Sequence, residues 1–316
     1  MFGQAFLTKD QYGSTVKHIE PEHVANIPIP RIPEIEKEIH KKIMKAHEMI
    51  EKAQELLLKA ERMIYTELGL PEIDEDEIEY FGGEDGRIAK AFTVSSRELG
   101  YRLDASYHAP LVEYVFRNLE KSKFEIIKLK HFVDRIIIPP RFKRPYIKNP
   151  KYGVPYLEPS HLPLIKYFDI KYLSKYFPNC HKYRLNKGEV LVVTDGSVGW
   201  IGLVTDYLDG WYGSNNFARL TINASVNVGY IVAFLYSEYG QIQLKRETFG
   251  GVVNHITEEH ILNDVKLPKP PRDIQDEIGN RVIQAYDLRD SAIRIEEEAI
   301  KLLEQKISEL VRNTLN

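Results

Sequence analysis

One cysteine stands in the 316 residues, Cys180, so no disulfide can close within the chain and a reducing cytoplasm is the expected compartment. No apolar run approaches the roughly 18 residues of a membrane span, and the amino terminus lacks a basic stretch leading into an apolar one. The sequence therefore predicts neither a transmembrane helix nor a signal peptide. Catalytic signatures are equally sparse. An adenine methyltransferase needs an [Asn/Asp]-Pro-Pro-[Tyr/Phe] loop to hold the amino group of a flipped base. The nearest phrase is "NPKY", Asn149 to Tyr152, with Lys151 where the second proline belongs. The "GGEDG" at 82–86 follows an acidic stretch rather than a strand, which argues against a phosphate cradle, and no Walker lysine motif occurs. Cys180-His181 has no second Cys/His pair at zinc spacing, so no metal site is expected.

What the chain does have is charge, unevenly placed. The formal net charge is only −3. Residues 71–86 nevertheless carry eight acids (Glu72, Asp74, Glu75, Asp76, Glu77, Glu79, Glu84, Asp85) and no Lys or Arg, which reads as a solvated acidic linker. Residues 121–190 carry sixteen Lys and Arg against five acids, a net of +11. The average hides a basic region suited to a polyanion.

The chain also repeats itself. At an offset of 237, Gly3, Gln4, Leu7, Gly13, His18, Ile19, Glu22, His23 and Asn26 meet identical Gly240, Gln241, Leu244, Gly250, His255, Ile256, Glu259, His260 and Asn263. Nine identities in 25 positions exceed the one or two that chance would give, and indicate a duplicated supersecondary unit. After one inserted residue "IPIPRIP" meets "VKLPKPP", and both copies run into long helical patterns. The repeated histidines fall in a passage that leads into a helix, which points to a structural role bonding backbone there rather than to catalysis.

Ile35, Ile39, Ile43, Ala46, Ile50, Ala53, Leu57, Ala60 and Ile64 recur at steps of three and four, as do Ile274, Ile278, Val282, Ala285, Leu288, Ala292, Ile295, Ala299 and Leu302. Pro33 and Pro271 precede the two runs, and Gly69 with Pro71 stops the first. The spacing predicts helices over 34–68 and 272–314, about 50 and 60 Å long. Because one globular block joins the end of the first to the start of the second, they are expected to pair antiparallel, with Ile39 near Ile307.

Residues 87–270 form that block. "RLDASYHAPLVEYVFRNLE" reads as a lead-in and a helix, "KFEIIKLKHFVDRIII" as β-rich, and "PPRFKRPYIKNPKYGVPYLEP" as a basic, proline-punctuated loop region feeding a strand. "KGEVLVVTDGSVGWIGLV" reads as strand, turn, strand, and "GYIVAFLYSEYGQIQLKRET" as one helix closed by a Gly250-Gly251 turn. The expected fold class is α/β (α+β): one mixed α/β domain with a curled sheet, plus two long helices in an antiparallel coiled coil.

The order domain, long helix, domain, long helix resembles the specificity subunit of type I restriction–modification systems. So do the phrases "RLDASYHAP", "GVPYLEPSHL", "KGEVLVVTDGSVGWIGLV", "LYSEYGQIQL" and "GGVVNHITEEHILNDVKLPKPPRDIQDEI". Residues 238–278 are similar to the end of a target-recognition domain and its passage into a conserved helix; residues 2–39 are similar to the same passage. The resemblance implies a C-terminal remnant of a first recognition domain at 1–33, a conserved helix at 34–70 and the acidic linker at 71–86. A full recognition domain at 87–271 and a second conserved helix at 272–316 follow. It also implies a chain without catalysis of its own, which reads DNA and holds methyltransferase (M) and restriction (R) subunits on it. S-adenosylmethionine, ATP and Mg²⁺ belong to those partners, so no cofactor is expected here. Two other readings stay open: the specificity half of another restriction–methylation system with methyltransferase activity, and a coiled-coil scaffold that does not bind DNA.

On the DNA-binding reading, residues 135–187 interleave cations with aromatics, lysines serving to neutralise phosphates and arginines or polar groups to read base edges. The candidate DNA-binding residues are Arg141, Lys143, Arg144, Tyr146, Lys148, Lys151, Tyr152, Lys182 and Arg184. Ser197 in "TDGSVGW" and Ser214, Asn215 and Asn216 in "GSNN" are added, ordinary turn chemistry being the alternative for the latter three. Tyr156 and Phe168 are read as core. The expected partners are double-stranded DNA, the M and R subunits, and a second copy of this chain in a weak homodimer, with no membrane.

Overall fold

The computed structural model describes residues 2–9, 11–12, 17–78, 80, 91–100, 102–249 and 253–315. The GGEDG phrase, the Gly250-Gly251 turn, and Glu79, Glu84 and Asp85 of the acidic stretch lie outside the described residues. The backbone divides into two compact units, Met1–Met44 with Glu296–Asn316, and Lys45–Ile295.

The first unit holds α1 (Phe2–Lys9), α2 (Pro21–Ala25), the start of α3 (Pro33–Thr66) and the end of α8 (Arg272–Leu315). The two long helices run antiparallel here. Glu34 faces Lys306 at 3.7 Å and Lys42 faces Glu298 at 2.8 Å, so eight residues forward on α3 answer eight residues back on α8. That register sets Ile39 level with residue 301, not with Ile307; the antiparallel sense holds, and the expected pair is out of step by six residues. Charge pairs on the flanks, invisible to an apolar period, reveal the alignment.

The second unit contains the rest of both helices and the globular domain. Ala53, Leu56 and Ala285 are buried together, with Leu57 and Leu288 against them. Small residues at this seam let the backbones approach. Further along, Ala60, Ile64 and Leu68 join Ile278 and Val282 in the main core of the domain. α3 ends where Gly69 adopts φ +70 and the Leu70 amide bonds back to the Tyr65 carbonyl.

The domain adds α4 (Pro110–Leu119), β1 (Ile126–Lys128), β2 (Val133–Ile137), β3 (Tyr146–Ile147), β4 (Gly153–Leu157), β5 (Lys171–Ser174), β6 (Glu189–Val193), β7 (Ile201–Leu203), β8 (Tyr212–Gly213), β9 (Phe217–Ile222), α5 (Val228–Tyr236), α6 (Glu238–Arg246), α7 (Glu258–Asn263) and β10 (Lys266–Pro268). Where one curled sheet was expected, the described residues form two four-stranded sheets and a two-stranded ribbon. The first sheet, β2-β9-β6-β7, is antiparallel; β6 reads EVLVV and is buried at every position, which its continuous apolar run foretells. The second, β3-β5-β4-β8, is mixed, with β4 parallel to β8. The ribbon pairs β1 with β10.

The expected single helix over 229–248 is two. Ser237 sits at φ −62, ψ 160, and its side chain accepts the Gly240 amide, so it ends α5 and caps α6. Gly240 follows because a Cβ there would lie 2.3 Å from the Phe234 carbonyl oxygen.

The internal repeat is a repeat of structure. Tyr12 and His18 form an isolated antiparallel bridge, and so do Phe249 and His255. His23 Nδ1 accepts the Glu20 amide at the start of α2, and His260 Nδ1 accepts the Thr257 amide at the start of α7. The two histidines do bond backbone at a helix start. Burial separates the copies. Leu244, Ile261 and Leu267 are 0% exposed, whereas their counterparts Leu7, Val24 and Ile29 are 40%, 47% and 79% exposed.

Candidate nucleic-acid interface

Three loops gather at one end of the antiparallel sheet. β2 ends at Ile137, opposite Arg219 near the start of β9, and β6 ends at Val193, opposite Phe217. The basic loop 138–145 leaves β2 there, the turn 194–200 joins β6 to β7, and 214–216 leads into β9. Local chemistry shapes each loop. Gly196 and Gly199 supply φ +77 and +88 in the turn. Ser214 Oγ accepts the Asn216 amide, closing the 214–216 bend.

A hydrogen-bond network joins these loops. Arg144 donates from Nε to the Tyr156 hydroxyl at 2.7 Å and from Nη2 to Asn215 Oδ1 at 3.2 Å. Asn215 donates to Asn216 Oδ1 at 2.6 Å, and the Thr194 amide and hydroxyl both reach the Asn216 carbonyl. The single Thr194 hydroxyl proton is shared between that carbonyl at 3.1 Å and Asp195 Oδ2 at 2.8 Å. Asp195 Oδ1 lies 2.5 Å from His255 Nδ1 and 3.8 Å from Arg141 Nη2. The hydrogen bond to Tyr156 raises the Arg144 pKa further, so that guanidinium is a fixed cation. Burial raises the Tyr146 pKa, which keeps its hydroxyl a neutral donor.

The candidate residues divide by exposure. Arg141, Lys143, Lys148, Lys151, Lys182, Arg184 and Ser197 are exposed, as are Tyr146 and Tyr152 at 49% and 58%. Lys151 Nζ lies 5.8 Å from the Tyr152 ring, and Lys171 Nζ 5.7 Å from Tyr146. Ser214 and Asn215 are buried at 2% and 7% exposure and Asn216 is half-buried; turn chemistry and the grip on Arg144 account for them. Tyr156 is fully buried, as expected of a core residue. Phe168, expected in the core, is 63% exposed: it lies in the 165–170 loop, outside any strand. Missing from the candidates were Asp195 and His255. An acid carries the wrong charge for a phosphate contact, and the repeat alone accounts for the histidine.

Glu247, His260 and Asp264 place one ligand atom each within 4.8 Å of one another. They do not suit a metal. His260 Nδ1 accepts the Thr257 amide, which puts the imidazole proton on Nε2 and removes the lone pair an ion would need. Arg246 already pairs with Glu247 at 3.2 Å. Burial raises the Glu247 pKa.

The family model described as "Type I restriction modification DNA specificity domain" matches residues 121–305, which takes in both sheets, the three loops and much of α8. The chain belongs to this family. Solved specificity subunits are similar to it at low identity. The type I S subunit from M. genitalium shares 12% identity at a TM-score of 0.48, with 93% of this chain and 66% of that chain covered. The HsdS subunit from Thermoanaerobacter tengcongensis shares 14% at 0.39, covering 94% and 66%. A chain from a structure of type I R-M complex assembly and conformational transition shares 16% at 0.40, covering 95% and 65%. This chain thus spans just under two thirds of the length of those chains. No curated protein matches it. Among the described residues, no helix is long and apolar enough to cross a membrane.

Proposed function

We propose that the chain is the DNA sequence-recognition subunit of a type I restriction–modification complex in the cytoplasm, reading duplex DNA through the loops at 138–145, 194–200 and 214–216 and the basic segment that follows the first of them. It performs no catalysis; methyltransferase and nuclease–translocase subunits are the partners it positions on a bipartite target. The observation that carries this reading is the family match over a domain whose sheet end collects Arg141, Arg144, Asn215 and Asn216 in one network. The exposed Lys143, Lys148, Lys151 and Lys182 add phosphate-neutralising charge on the same domain.

One recognition domain reads half of a bipartite target. Of Ile27, Ile29 and Ile32, expected to need cover, Ile32 is buried. Ile29, with Leu7 and Val24, is exposed and favours weak pairing with a second copy, which would present two identical domains to an inverted repeat. Titration of labelled duplexes between about 50 and 200 mM salt tests the binding: affinity should fall steeply with salt, and a salt-independent affinity would favour the scaffold reading. Sedimentation over a hundredfold concentration range tests the pairing, with a strict monomer throughout refuting it.

A further inference from the structure

Asp195 is held more tightly than a surface turn requires. The Gly196 amide donates to the Asn254 carbonyl at 2.9 Å and the Ile256 amide to the Thr194 carbonyl at 3.0 Å, so backbone bonds pin both sides of it. Its two oxygens are oriented by Thr194 and His255. Arg141, its remaining neighbour, has a side chain 82% exposed. Two opposite charges thus stand together at the tip of the sheet end, one fixed and one free to swing.

A carboxylate has about four lone-pair sites and a guanidinium five N–H donors, so both retain capacity beyond these contacts. At 3.8 Å from Asp195 and 82% exposed, Arg141 is loosely paired and can leave the carboxylate at little cost. In the major groove, guanine offers the O6 and N7 acceptors that an arginine fork matches, and cytosine offers the N4 amino donor that a carboxylate accepts. Guanine O6 and cytosine N4 are hydrogen-bonded to each other, about 2.9 Å apart. Side-chain ends that start 3.8 Å apart are near enough to reach two neighbouring base-edge atoms together.

We propose that Arg141 and Asp195 together read one G·C base pair, Arg141 taking the guanine and Asp195 the cytosine. The inference rests on the DNA-recognition reading above and gives it a specific base. Thr194 and His255 hold the carboxylate in place for the contact.

The test begins with selection of bound duplexes from a random pool by the full chain, followed by replacement of each base pair of the selected site in turn. At one G·C pair, replacement should weaken wild-type binding about five- to 150-fold, the range of a good base contact. Asp195→Asn and Arg141→Lys should both lose discrimination at that same pair and keep it elsewhere. Arg141→Lys preserves charge on an exposed side chain, so it reads out even if Asp195→Asn folds poorly. If both variants retain the preference at every position, or weaken all duplexes equally, the inference is overturned and these residues serve the turn and the phosphates only. A pool that yields no preferred sequence overturns DNA recognition itself, and the base assignment with it.

Discussion

The carboxylate of Glu298 lies 2.8 Å from the ammonium of Lys42. Together with Glu34 and Lys306 it marks the register of the two long helices. Solvent screens both pairs, so each adds little stability and serves as a marker of alignment. With Cys180 replaced, spin labels on cysteines at positions 42 and 298 should read a shorter separation than labels at positions 39 and 307, measured by pulsed dipolar spectroscopy. The reverse pattern would place the helices in the register first expected from the apolar period.

A second prediction concerns the tightest contact between α5 and α8. A Cβ built on Gly229 would lie 2.1 Å from the Gly279 carbonyl oxygen, and one on Gly279 would lie 2.6 Å from the Tyr230 amide nitrogen. Backbone atoms cannot swing aside as a side chain can. Asn227 lies at the same crossing, with its amide donating to Asp276 and Asn280. Gly279→Ala should therefore cost about 1–3 kcal/mol and lower the thermal midpoint by several degrees. Gln284→Ala, on the exposed face of the same helix, should leave it nearly unchanged. Equal melting of the two variants would show that the crossing can relax.

The third prediction is a pH dependence. His161 is 6% exposed, and its Nδ1 accepts the Glu158 amide at 3.0 Å in a cap that requires the neutral ring. Burial holds its pKa below the ordinary value of 6.5. Between the folded pKa and 6.5 the unfolded chain binds a proton that the folded chain does not, so stability falls as pH drops through that window. Above about pH 7 the term vanishes. Urea midpoints at about pH 7.5 and 5.5 should separate more for wild type than for His161→Gln, and an equal separation would remove His161 as the cause.

Much of this architecture was legible because it rests on periods and repeats. The apolar run of β6, the three–four steps of α3 and α8, and the 237-residue offset are properties of order along the chain, and the paired bridges and histidine caps follow from them. What was not legible depends on single contacts. The apolar pattern runs on through Ser237, and only its side-chain bond to Gly240 divides the helix. Ser214 is a candidate for its hydroxyl, and only the fold shows that hydroxyl buried and accepting the Asn216 amide. Asp195 gains meaning only when residues 141 and 255 arrive beside it, across separations no local window spans.

The last prediction separates charge from orientation at the interface. Lys143 is exposed, and its expected part in binding is to displace counterions from phosphate. Lys143→Ala should therefore weaken all duplexes alike and reduce the slope of log affinity against log salt by about one unit. Arg144 differs: Tyr156 and Asn215 hold its guanidinium by two hydrogen bonds, at 2.7 and 3.2 Å. Tyr156→Phe keeps the buried ring and the arginine's charge but removes one acceptor. A hydrogen bond to a charged group is worth about 1.5–3 kcal/mol, so Arg144 loses its fixed direction while the cation count is unchanged. Binding of the preferred duplex should weaken several-fold, binding of unrelated duplexes should hardly change, and the salt slope should stay at its wild-type value. If Tyr156→Phe flattens the slope as Lys143→Ala does, Arg144 acts as one more phosphate cation and its buttress serves only the fold.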